Sequence, residues 1–79
     1  MIIVNAEYIA DFSLRLYFSD GVVNVVDFGE YISNNPHPQH DKYLDPELFK
    51  TFSLENGNIV WGEDWDMVFP IEDLYVGKI

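Results

Sequence analysis

Residues 12–26 read Phe12-Ser13-Leu14-Arg15-Leu16-Tyr17-Phe18-Ser19-Asp20-Gly21-Val22-Val23-Asn24-Val25-Val26, and the fold follows from how this stretch turns back on itself. Phe12, Leu14, Leu16 and Phe18 alternate with Ser13, Arg15 and Tyr17, the period of two that gives a half-buried strand one apolar face. Asp20-Gly21 tolerates the positive φ of a type I′ turn, so a two-residue hairpin loop is expected there. That loop pairs Phe18 with Val23 and Leu16 with Val25, placing all four on one face. Tyr17 then falls on the outer face beside Arg15 and Val26, where exposed apolar surface would suit a homodimer or a partner.

Upstream, Ile2, Val4, Ala6, Tyr8 and Ala10 share one face of an earlier strand. Matching that face to Leu14 and Leu16 requires an odd loop, three residues near Asp11, with Asp11 in the left-handed conformation. Downstream, Asp27-Phe28-Gly29-Glu30 has the pattern of a capping box before a short helix through Tyr31 and Ile32. Residues 34–42 are polar and contain two prolines, which predicts an extended loop. Asp45-Pro46 opens a second helical turn. Asn56-Gly57 then predicts another two-residue hairpin, pairing Leu54 with Ile59 and Phe52 with Trp61. A last helical turn from Pro70 offers Ile71, Leu74 and Tyr75 to the core. The expected fold is a small two-layer α+β domain over residues 1–79: a three-strand meander, a second hairpin and two or three short helices.

Composition bounds the function. Fourteen acidic residues face four basic ones, a net charge of −10. Such a chain repels nucleic acid and anionic membrane and attracts basic proteins or cations, although the same charge also serves solubility. Arg15, Lys42, Lys50 and Lys78 are too few and too scattered to track a phosphate backbone. There is no cysteine, which removes disulfides and thiolate zinc sites and suits a reducing cytoplasm. The start, Met1-Ile2-Ile3-Val4-Asn5, lacks the features of a signal peptide, and no run approaches the ~20 apolar residues that span a bilayer.

Leu14-x-Leu16-x-Phe18-x-Asp20-Gly21, Val26-Asp27, Leu44-x-Pro46-x-x-Phe49, Ile59-x-Trp61, Asp66 and Leu74-Tyr75 recur in this order along nearly the whole chain. Together they resemble a bacterial family catalogued as domain of unknown function 2442. The usual Gly-x-Asp after the Trp is here the longer Gly62-Glu63-Asp64-Trp65-Asp66, with a second Trp. The resemblance implies a small α+β domain, in some relatives fused to a DNA-binding helix-turn-helix that is not expected within these residues. Some relatives look like one half of two-gene modules of the toxin–antitoxin kind, which implies a protein-binding role. The resemblance supplies no catalytic residues and no cofactor.

Two local clusters carry chemistry. His37, His40 and Asp41 form H-x-x-H-D, a donor set for zinc or nickel, but spacing of this kind converges on a helix and an extended Pro-containing loop would hold the imidazoles apart. Glu63, Asp64 and Asp66 surround Trp65 without the alternating oxygen ligands of an EF-hand. Asp66 is expected to bond the backbone of the final helical turn. Trp65 has no partner in the strand pattern; exposed among carboxylates, it becomes a candidate hot spot for protein binding. No nucleophile elbow or glycine-rich phosphate loop is present, so no enzyme is expected. The leading expectation is an acidic protein-interaction module engaging a basic partner, the antitoxin-like member of a gene pair. The alternative is a small divalent-metal-binding domain or enzyme using His37, His40 and Asp41 or the Glu63–Asp66 carboxylates.

Overall fold

A computed structural model describes all residues, 1–79. Strands β1 (Ile3–Ala10), β2 (Ser13–Phe18) and β3 (Val23–Asp27) form one antiparallel sheet in the order β1-β2-β3. Helix α1 (Phe28–Asn34), a 3-10 turn (Asp41–Leu44) and helix α2 (Pro46–Phe49) lead to a second antiparallel sheet. Its strands are β4 (Ser53–Glu55), β5 (Asn58–Trp61) and β6 (Met67–Val68), in that order, and helix α3 (Ile71–Val76) follows. The α+β class stands; the second sheet has a third strand, β6, where the sequence suggested a hairpin alone.

Local chemistry accounts for several boundaries. Asp27 caps α1, its carboxylate accepting from Gly29 N–H at 2.9 Å, while the reciprocal bond from Glu30 is not made. Asp45 caps α2 in the same way, through Glu47 N–H at 3.0 Å, with Pro46 at the first helical position. Asn56 and Gly57, both at positive φ, make the two-residue turn that sets Leu54 opposite Ile59.

The β2–β3 register departs from the sequence reading. The loop has three residues, Ser19-Asp20-Gly21, closed by Phe18 N–H to Val22 C=O at 2.9 Å and Gly21 N–H to Phe18 C=O at 3.0 Å. Gly21, at φ 91°, supplies the left-handed residue of such a loop. Tyr17 therefore opposes Val23, Arg15 opposes Val25, Leu16 opposes Asn24 and Leu14 opposes Val26. One added loop residue exchanges the faces of β3. Val26 is buried, Val23 and Val25 face outward, and Asn24 turns inward to donate its amide to the Tyr75 C=O of α3.

In β1 the register shifts twice, between Ile3 and Asn5 and between Tyr8 and Ala10. The first irregularity buries Ile3 and leaves Ile2 and Val4 exposed, against the simple alternation. The second keeps Tyr8 opposite Leu14 across a turn of two residues, with Asp11 left-handed as anticipated (φ 51°). The two sheets meet where Ile3 N–H donates to Gly57 C=O at 2.8 Å.

The core has no buried polar or charged residue. Leu14, Leu16 and Phe18 from β2 meet Phe28 and Ile32 of α1, Phe49 of α2, Ile59 and Trp61 of β5, and Leu74 of α3. Its centre is aromatic: Phe28 lies 5.1 Å from Trp61 and 5.4 Å from Phe69 between ring centroids, and Phe49 stacks on Trp61 at 5.6 Å. Trp61 brings one polar atom inside, and its Nε1–H donates to Phe49 C=O at 2.8 Å. Rings of this size give a short chain its buried area with few residues.

Candidate functional site

The β5–β6 connection, Gly62–Asp66, gathers most of the residues singled out from sequence. Gly62 (φ 87°) and Trp65 (φ 55°) are both left-handed, and Trp65 N–H closes the turn on Gly62 C=O at 3.1 Å. A bulky residue at positive φ is strained, so the surrounding contacts must hold it there. One such contact is explicit: the Trp65 Nε1–H donates to Glu55 Oε2 at 3.1 Å, across from β4. Trp65 remains 44% exposed, and Glu63 and Asp64 before it are exposed as well.

Asp66 leaves this surface. Its Oδ2 accepts from Lys42 Nζ at 2.7 Å and from Tyr43 Oη at 3.5 Å. The expectation that it would bond the last helical turn fails, because α3 begins after Pro70 with no side-chain cap. The Lys42 hydrogen bond holds the Asp66 carboxyl below its ordinary range, and Asp66 in turn raises the Lys42 ammonium. Burial pushes the Tyr43 phenol up. Gly62 makes this arrangement possible: a Cβ there would stand 2.7 Å from Asp66 Oδ2 and 3.0 Å from Tyr43 Oη.

The segment that carries Pro36 and Pro38 is turned at His37–Asp41, not extended. His40 and Asp41 N–H groups both donate to His37 C=O at 2.9 Å, which brings the two imidazoles to 4.5 Å between centroids. The neighbouring groups, however, are already engaged. His37 Nδ1 accepts from Gln39 N–H at 3.1 Å, and Asp41 Oδ1 accepts from His37 N–H at 3.1 Å. His40 Nδ1 is buried without a partner, and burial followed by the nearby His37 lowers its pKa. No group of three or more His, Cys, Asp or Glu side chains is placed to hold one metal ion.

Tyr17 belongs to a different surface, the outer face of the first sheet. Its hydroxyl donates to Glu7 Oε1 at 3.2 Å, and the same oxygen pairs with Arg15 at 2.5 Å. The sequence pattern places Val26 beside it; Val23 and Val25 stand there instead. Glu55, Lys42 and Tyr43 were not anticipated at the turn. Nothing in the sequence links Glu55 to Trp65 ten residues on, because their contact depends on how β4 and the β5–β6 turn pack.

Between β4 and this turn runs an open groove of about 660 Å³, lined by Thr51, Ser53, Glu55, Gly62 and Glu63, with no hydrophobic lining residue. Small-molecule sites are mostly apolar and enclosed. This groove is neither. Of the 14 acidic residues, only Glu7 and Asp66 make ion pairs, so 12 carboxylates are unpaired. No helix is long and apolar enough to cross a membrane.

The family model described as "Protein of unknown function (DUF2442)" matches residues 3–79, and the chain belongs to that family. No curated protein and no solved structure matches it.

Proposed function

We propose that this DUF2442 chain is a small acidic protein-interaction module that engages a basic partner protein at the β5–β6 turn, in a binding role and not a catalytic one. The observation that carries the proposal is Trp65. Its indole is held by Glu55, left half-exposed directly after Glu63 and Asp64, and set beside a groove that has carboxylates and no apolar lining. An indole face attracts a Lys or Arg head group, and Trp and Arg are over-represented among interface hot spots. Glu55 and Glu63 would complete the cation's coordination. Twelve unpaired carboxylates would speed encounter with a cationic surface and would make the affinity fall as salt rises. In its specific form, the chain is the neutralising, antitoxin-like member of a two-gene module.

Co-purification of the untagged chain with the product of the adjacent gene tests this. A basic protein should be retained, the exposed Trp65 fluorescence should shift to the blue on binding, and Trp65→Ala should weaken the complex at least about tenfold. A chain that stays alone with its neighbour co-expressed, or a complex indifferent to Trp65→Ala, refutes the proposal.

A further inference from the structure

The outer edge of β3 is left unpaired. Phe18 N–H donates to Val22 C=O at one end of the β2–β3 ladder, and Phe28 N–H donates to Phe12 C=O at the other, both at 2.9 Å. Antiparallel ladders alternate, so with this register the hydrogen-bonded pairs are Leu16–Asn24 and Leu14–Val26. The N–H and C=O groups of Val23 and Val25 therefore point away from β2. β3 is an edge strand, and outside its pairing with β2 no protein group bonds those two residues. Their side chains are 48% and 58% exposed beside Tyr17. Natural sheets guard such edges with Lys, Pro, a bulge, an inward charge or a covering helix. The run Val22-Val23-Asn24-Val25-Val26 has none of the first four, and helix α3 meets β3 through the inward Asn24 side chain, leaving the Val23 and Val25 side chains exposed.

We propose that β3 pairs antiparallel with β3 of a second copy, about a two-fold axis through Val25, joining two three-stranded sheets into one of six strands. The choice of occupant follows from charge. On this face Glu7 is already neutralised by Arg15, and the Val22–Val26 run is uncharged. A basic partner therefore finds its free carboxylates at Glu63 and Asp64 in the other sheet, and an uncharged edge suits an uncharged edge. A strand paired antiparallel with itself across a two-fold axis is its own complement. In this register Val25 faces its own copy and Val23 faces Asp27 of the second copy, whose carboxylate is occupied by Gly29 N–H. The two Asp27 carboxylates then sit four residues apart along the strands, about 14 Å at ~3.4 Å per residue, beyond the ~8 Å Debye length at physiological salt. An edge of five residues is small against a standard interface, so the dimer is weak and forms only at high protein concentration.

Sedimentation equilibrium of the full chain from 10 μM to 1 mM, at about 50 and 500 mM NaCl, tests the proposal. The expected result is reversible passage from 9.2 kDa to twice that mass, tightened several-fold by salt because two −10 chains repel. Amide exchange gives the sharper readout. In dilute protein the Asn24 and Val26 amides are protected and those of Val23 and Val25 are not; at 1 mM all four become protected. Val25→Lys and Val23→Lys, both at exposed positions, should keep the monomer's circular dichroism and abolish the dimer. A single 9.2 kDa species up to 1 mM overturns the proposal. So does a dimer in which the Val23 and Val25 amides exchange as fast as in the monomer, or one that either lysine variant leaves intact.

Discussion

Gly62→Ala isolates how the β5–β6 turn is built. Two costs are expected. The first is backbone: an L-residue at φ 87° is disfavoured by about 1–2 kcal/mol. The second is contact: the new Cβ would lie 2.7 Å from Asp66 Oδ2 and 2.9 Å from its Cγ, so the carboxylate must retreat by several tenths of an ångström. That movement pulls against the 2.7 Å bond to Lys42, and crowding of this kind costs about 1–3 kcal/mol. Gly21→Ala is the internal control, because Gly21 has a similar φ of 91° and nothing within 4 Å of its added Cβ. Gly62→Ala should therefore be the worse by about 2 kcal/mol, a melting-temperature gap of about 8–16 °C for a domain of this size. Urea and thermal melts of both variants measure it. The contact cost should largely disappear when Gly62→Ala is made in an Asp66→Ala background. If the two glycine variants melt within about 2 °C of each other, or if the Asp66→Ala background leaves the Gly62→Ala cost unchanged, the close approach does not govern the turn.

Two further outcomes can be checked on the same melts. Val26→Ala removes two methyl groups from a site 2% exposed and should cost about 2–3 kcal/mol, whereas Val25→Ala, 58% exposed, should cost under ~1 kcal/mol; the reverse order would restore the two-residue hairpin register. His40 is held below its ordinary range by burial and by His37, with Asp41 and Asp66 opposing, so the unfolded chain takes up the proton first. Stability should fall as pH drops through about 6.5, ahead of the acid loss at Asp66, which begins only below about 4. His40→Gln should flatten melting temperature against pH between 8 and 5.5, and an unchanged slope would remove His40 as its source.

What was legible in the sequence was whatever a few adjacent residues decide. Asp27 and Asp45 cap their helices because a short carboxylate before an N-terminal turn can satisfy a free N–H without outside help. Asn56-Gly57 closes its hairpin because both residues accept positive φ. Asp11 was read as left-handed for the same local reason. The site was legible only as composition. Trp65 and its acidic neighbours were visible, but the division of labour between them was not. Lys42 draws Asp66 inward from 24 residues away, and Glu55 holds the indole from 10, and neither contact leaves a mark on local pattern.

The β3 register shows why pattern alone was insufficient there. Asp-Gly serves both a two-residue loop and a three-residue loop with glycine left-handed, so turn chemistry allowed either. Hydrophobic alternation could not break the tie, because valine occupies 22, 23, 25 and 26, leaving apolar residues on both faces. Only Asn24 distinguished the choices, and it argued for the wrong one: turning it inward places an amide at the core's margin, which costs free energy unless the amide is bonded. The bond comes from Tyr75 C=O on α3, 51 residues later, and the Tyr75 hydroxyl returns to Asp20 in the hairpin loop at 2.7 Å. Helix α3 thus holds the loop at one end and the inward amide at the other, and so selects the three-residue turn. The same selection moves Val23 and Val25 to the outside and leaves their backbone groups unpaired. The exposed β3 edge is therefore a consequence of how the C-terminal helix docks.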